Sequence, residues 1–206
     1  TDLAILKAFA RTLGHAAAVD LERPFVHYVA NQPPQAQRHF YALREACPDL
    51  IGIAIYDRLL SEPRSDPVLR QLAWKRREIE NYLCTRRTLL AYADAKGREQ
   101  HGDLFAATWR GRMESAISEI GDALRVLGRS DPWGADIKVS DEFLDRLFEL
   151  FFQRLSIPNL MRKSDYHELA RLVAPDEIAP EVVSMLDAIH ETALRARPRG
   201  DPASAS

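Results

Sequence analysis

Apolar positions recur along this chain in two rhythms, and the change between them divides it. Leu3, Ile5, Leu6, Phe9, Ala10 and Leu13 follow an i, i+3, i+4, i+7 stripe. That spacing predicts an amphipathic helix over residues 2–13, with Asp2 as cap or first-turn acid and Gly14 as its stop. Phe25-Val26-His27-Tyr28-Val29 is a short β-prone run closed by Asn31-Gln32-Pro33-Pro34. A helix over residues 35–46 comes next, with Phe40, Leu43 and Ala46 inward, and Pro48 blocks its continuation. Leu50-Ile51-Gly52-Ile53-Ala54-Ile55-Tyr56 is a continuous apolar run of strand length, which predicts a central strand buried on both faces. It delivers Asp57 and Arg58 at its carboxyl end. A loop over residues 61–67 and a charged segment come next, and then a helix over residues 85–95 that Lys96-Gly97-Arg98 ends.

Beyond Gly102 the rhythm is helical throughout. Residues 104–127 form one long pattern with Phe105, Trp109, Met113, Ile117, Ile120 and Leu124 inward, stopped by Gly128. Ser140 caps a helix over residues 141–155 that turns Phe143, Leu144, Leu147, Phe148, Phe151 and Phe152 inward. Helical patterns continue at residues 164–173 and 180–195, and the Arg/Pro/Gly/Ala/Ser-rich remainder is predicted to be disordered. The expected organisation is an α/β domain with a mostly parallel sheet over residues 1–97, a helical region over 98–195 and a tail over 196–206. The alternation would be completed by a further strand ahead of the first helix.

The charged segment is Trp74-Lys75-Arg76-Arg77-Glu78-Ile79-Glu80-Asn81-Tyr82-Leu83, with three cations and two carboxylates between Trp74 and Glu80. As an extended strand it would turn Arg76, Glu78 and Glu80 to one face and Lys75, Arg77 and Ile79 to the other. As a solvated helix it would separate the two glutamates.

At 206 residues, 46% hydrophobic and 28% charged, the chain has material for a substantial core. The net charge of −2 supplies no global basic field, so any nucleic-acid contact must come from local clusters. Cys47 and Cys84 have neither metal-ligand spacing nor the look of a disulfide framework, which fits a reducing, cytoplasmic setting. No apolar run approaches membrane-spanning length, and the amphipathic pattern over residues 2–13 does not read as a signal peptide, which has a charged region followed by an apolar one. Phosphate-binding glycine motifs, H-E-x-x-H and G-x-S-x-G are absent, and the six histidines never pair at a ligand spacing.

Carboxylates at strand ends remain. Asp57 follows a buried strand, Asp2 opens a helix, and Glu78 and Glu80 lie in the charged segment. An oxygen-only set of this kind suits Mg²⁺ or Mn²⁺, the ions used in phosphodiester cleavage. A turn former, a helix cap and solvated charges are the simpler roles for the same residues. Lys163, just ahead of a predicted helix capped by Ser164, is placed to face a phosphate or to sit in solvent. Arg76, Arg77, Arg86 and Arg87 form a basic cluster that suits either a phosphate backbone or nearby carboxylates.

These stretches resemble the C-terminal TOPRIM nuclease region of the OLD (overcoming lysogenization defect) ATP-dependent endonucleases. Thr1-Asp2-Leu3-Ala4-Ile5-Leu6 resembles the segment just after that family's opening Glu-Gly motif. Ile51-Gly52-Ile53-Ala54-Ile55-Tyr56-Asp57-Arg58 resembles the strand that ends in Asp-x-Asp, and Arg76-Arg77-Glu78-Ile79-Glu80-Asn81-Tyr82-Leu83 resembles the third motif. Weaker similarity extends through residues 143–152 and 160–169. The resemblance implies a TOPRIM-like fold and a metal-dependent endonuclease acting on DNA as a homodimer, with ATP handled by an upstream ATPase domain. It assigns Asp2, Asp57, Glu78 and Glu80 to Mg²⁺ or Mn²⁺, Glu80 and Lys163 to catalysis, and implies roles in phage defence or DNA repair. Two departures accompany it. The opening glutamate would precede Thr1, and Leu59 stands where the second Asp of Asp-x-Asp is expected, so the chain by itself is expected to be inactive. A non-catalytic binding or dimerisation module of an ATPase is the alternative.

Overall fold

A computed structural model describes residues 2–196, so the expected tail over 197–206 lies outside the described residues. Helix α1 (Asp2–Thr12) is followed by the single turn α2 (Ala17–Asp20), α3 (Pro33–Ala46), strands β1 (Gly52–Tyr56) and β2 (Leu69–Ala73), and α4 (Arg86–His101). Then come α5 (Asp103–Val126), α6 (Asp145–Arg154), the short α7 (His167–Ala170) and α8 (Pro180–Arg195). The molecule is α/β but mostly helical. Among the described residues its sheet has two strands, parallel, with Gly52 opposite Leu69 and Tyr56 opposite Ala73. No described helix is long and apolar enough to cross a membrane.

The helices follow the apolar periodicity closely. Ile5, Leu6 and Phe9 of α1 are buried, and α6 turns Leu147, Phe148, Phe151 and Phe152 inward. The densest packing is aromatic: Trp109 of α5 meets Phe151 edge-on at 5.7 Å, and Tyr92 of α4 meets Phe148 at 5.3 Å. Such edge-to-face pairs suit the ring quadrupoles and add to the burial of large apolar area.

Three expectations are corrected here. Gly97 does not end α4, which runs on to His101. A Cβ at Gly97 would stand 3.0 Å from the Ala106 backbone and 3.1 Å from Trp109, so this glycine lets α4 and α5 approach. The break falls at Gly102, with φ +78°. The residue 97/98 division therefore lies inside a helix, and one hydrophobic cluster joins Phe9, Leu83, Trp109, Phe148 and Ile189 across it. Residues 25–29 form no strand; the backbone there is irregular. Finally, β1 is not buried on both faces, because Gly52 to Ile55 are all half-buried.

Candidate functional site

The charged segment does not form the expected strand. Regular pairing with β1 ends at Ala73, residues 75–78 bend, and Ile79–Tyr82 is a 3₁₀ turn. The physical reason lies in where successive amides go. Trp74 N–H still donates to Tyr56 O at 2.9 Å. Lys75 N–H then donates to Glu181 Oε1 at 2.8 Å, Arg76 N–H to the Tyr82 hydroxyl at 3.2 Å, and Arg77 N–H to Ala135 O at 2.8 Å. Glu78 N–H donates to Asn81 Oδ1 at 3.0 Å. No single strand could serve four partners in four directions. Buried Asn81 closes the turn by donating to Gly134 O at 3.2 Å and Ile137 O at 3.1 Å, which ties the segment to the chain leading into α6.

That bend brings together the carboxylates that strand alternation was expected to align. Glu78 and Glu80 are 4% and 5% exposed, values that make them core residues although both are acids. Glu78 Oε1 accepts Ser140 N–H at 2.6 Å, at the first turn of a π-helical segment (Ser140–Leu144) that leads into α6. Glu78 thus takes the capping role expected of Ser140, at the helix end where negative charge is favoured. Asp57 leaves the carboxyl end of β1 beside it. Burial, then the charges of Asp2 and Glu78, push the Asp57 carboxyl up to about 6 against the opposing pull of Lys138 and Arg77. Burial, then Glu78, raise Glu80 to about 7, with Asp2 and Asp57 adding smaller contributions and a backbone hydrogen bond opposing. Asp2, Asp57, Glu78 and Glu80 therefore share one electrostatic site, reached from α1, β1 and the 3₁₀ turn.

Lys163 joins it. Burial pulls its ammonium down, but the hydrogen bond to Asp141 and the charges of Asp141, Glu78 and Glu80 win, and the net shift is upward. Asp141 also takes Lys138 Nζ at 2.5 Å, and the two lysines hold its carboxyl down at about 2. Ser164 does not cap a long helix; Lys163–Asp165 is a 3₁₀ turn ahead of the four-residue α7.

Of the four arginines in the predicted basic cluster, Arg77 alone faces this site. A cavity of about 420 Å³ is lined by Asp57, Glu78, Arg58, Arg77, Lys138 and Leu59 among others. Arg76 is a structural cation, lying 5.2 Å over the Tyr82 ring and donating to Asn81 O at 2.9 Å. Arg86 and Arg87 point elsewhere, to Glu114 on α5 at 3.4 Å and to Asp176 at 3.1 Å. Arg58, Lys138 and Asp141 were not singled out from sequence. Arg58 adjoins Asp57 and was within reach of that argument, whereas Lys138 and Asp141 reach the site only through the turn that Asn81 anchors.

The donor set is all oxygen and carries more negative charge than a buried site holds comfortably, which fits a hard divalent cation in chemistry. In geometry it is looser: among the described residues no three His, Cys, Asp or Glu side chains stand close enough to hold one ion together. No protein-family model, curated protein or solved structure matches this chain.

Proposed function

We propose that this chain is the nuclease portion of a metal-dependent endonuclease of the OLD type, with a TOPRIM-like α/β unit. The observation that carries the proposal is the cavity lined by Asp57 and Glu78 beside the buried Glu80, where burial and the neighbouring acidic charges raise the Asp57 carboxyl to about 6 and the Glu80 carboxyl to about 7. Carboxylates forced to keep protons near neutral pH are groups whose repulsion a cation relieves. A bound Mg²⁺ or Mn²⁺ would supply charge neutralisation at a phosphate and a water of lowered pKa. Asp57 and Glu80 are the ligands proposed to hold it, with Asp2 and Glu78 supporting. Arg58, Arg77 and Lys138, which border the same cavity, suit the flanking phosphates of a DNA strand. The upward shift of Lys163 keeps it protonated at neutral pH, which suits stabilisation of developing negative charge and excludes service as a general base. DNA, an upstream ATPase domain and a second copy of the chain are the partners that the resemblance implies.

Leu59 in the second acidic position favours a second function, a TOPRIM-like binding or dimerisation module without chemistry. Mn²⁺-dependent nicking of supercoiled plasmid by the full-length natural polypeptide separates the two, with Asp57→Asn, Glu80→Gln and Lys163→Met beside the wild type. Nicking lost in all three variants supports the nuclease. Equal nicking by variants and wild type, or none by any of them, sinks it.

A further inference from the structure

A second cavity, of about 300 Å³, lies between α4 and the chain at and just after α7. Tyr92, Ala95, Lys96 and Glu99 line it from α4, at the i, i+3, i+4, i+7 spacing of one helical face. Glu168, Arg171 and Leu172 line it from the other side. It shares no lining residue with the cavity beside Asp57 and Glu78.

Tyr92 is 1% exposed, and its ring packs edge-on to Phe148. Its hydroxyl is buried with no hydrogen-bond partner among the described residues. Burial raises its pKa, and the charges of Glu168, Glu99 and Asp165 raise it further. Two of those three acids stand in the cavity wall, so the hydroxyl end of the ring is turned toward the cavity. There it remains a protonated donor at neutral pH. A buried phenol ordinarily has a partner, because an unpaired polar group loses its hydration without a replacement.

The remaining hydrogen-bonding capacity of the cations is of the same donor kind. Lys96 Nζ reaches Glu99 at 3.0 Å and Glu168 at 3.5 Å, which leaves one of its three N–H groups. Arg171 is exposed at the rim, and no described residue pairs with its guanidinium. Two cations and two carboxylates leave the wall formally neutral. One further negative charge can be held by Arg171 and Lys96, whereas a doubly charged phosphate would press its second charge against Glu99 and Glu168. A guanidinium also matches a carboxylate with two parallel hydrogen bonds. We propose that this cavity binds a small organic monocarboxylate, whose carboxylate accepts hydrogen bonds from Tyr92 and Arg171 and whose apolar body lies against Ala95 and Leu172. The site is independent of the metal-dependent reading.

Butyrate is the probe, titrated into the 206-residue chain and followed by residue-resolved NMR, with butyramide and inorganic phosphate beside it. Butyrate should bind with a Kd of roughly 1–10 mM, the range open to a ligand of so few atoms, and should shift signals at residues 92–99 and 168–172. Butyramide has the same shape without the charge, and it and phosphate should each bind at least about tenfold more weakly. Tyr92→Phe removes only the hydroxyl and Arg171→Gln only an exposed charge, so both variants should fold, and each should weaken butyrate binding by about tenfold. Tyr92→Phe should also raise the thermal midpoint of the chain without butyrate, because it removes an unpaired buried donor. A lowered midpoint would show that the hydroxyl already has its partner within the fold, and it overturns the proposal. Butyrate shifts that miss these residues, butyramide or phosphate binding as tightly as butyrate, or unchanged butyrate affinity in either variant overturn it as well.

Discussion

Phe148 and Glu80 are both buried, and their surroundings differ in kind. Phe148 lies among Tyr92, Phe152 and Tyr166 with ring centroids 5.3, 6.3 and 6.2 Å away, in a helix whose every inward position is apolar. Glu80 lies on one short turn among three other carboxylates, and its acid proton is held to about pH 7 by burial and their charge. The first environment stabilises the fold by excluding water. The second weakens it, because a charge that must be desolvated beside like charges costs free energy. Such local costs persist where a site needs groups out of their ordinary state.

The contrast can be broken most forcefully from the aromatic side. Phe148→Ala should lower stability by about 3–5 kcal/mol, measured by chemical denaturation, because the cavity it leaves is walled by helices that cannot collapse together. Asn81→Ala should be next, at about 1–3 kcal/mol, since Gly134 O, Ile137 O and Glu78 N–H lose their buried partner. This substitution also releases the turn that holds Glu78 and Glu80 together, so the high pKa of Glu80 should fall toward its ordinary value by NMR titration. Phe148→Ala in a chain that still folds should leave that pKa alone. A shift in both variants would show that the two regions are one cooperative unit.

The acidic end can be sharpened through pH. Asp57 and Glu80 have folded-state values raised above the unfolded ones, which lie at about 4. The folded state therefore holds more protons between those limits. The stability they contribute is fully present below about pH 4 and is lost as the pH rises through about 6 and about 7. The thermal midpoint should accordingly be higher at pH 5 than at pH 8. Glu80→Gln should raise the pH 8 midpoint and flatten the slope, whereas a steeper slope would contradict the assignment. Mn²⁺ should raise the midpoint more at pH 8, where the carboxylates are ionised, than at pH 5. The smallest effect should come from Arg87→Ala. Its ion pair with Asp176 is exposed on both sides, and its loss should change stability by less than about 0.5 kcal/mol and leave the pKa of Glu80 untouched.

Much of the helical architecture was legible from residue order. The stripes of α1, α5, α6 and α8 each imply a buried face, and the described helices agree with them to within a few residues, because a long amphipathic pattern has few other ways to hide itself. Gly97 misled because a glycine inside a helical pattern can mark a stop or a close crossing, and only the presence of Trp109 opposite decides between them. The extended segment at residues 25–29 misled because β-propensity expresses itself only where a neighbouring strand exists to pair with.

The composition of the acidic site was likewise present in the sequence, in the residues at a strand end, at a helix start and in the charge-dense segment. Its construction was not. Period-two alternation predicted that Glu78 and Glu80 would share a strand face, and the chain instead bends at residue 75 and coils into a 3₁₀ turn. What sequence alone determined is local: which stretches are helical, which face of each is apolar, and which carboxylates are available. Tertiary structure decided how those carboxylates meet. Asn81 finds carbonyls more than fifty residues away, Glu78 meets the start of the segment leading into α6, and four consecutive amides are claimed by four separate partners. Hydrogen bonds to distant partners can outweigh a local preference worth only about 1 kcal/mol, and residue spacing along the chain carries no record of them.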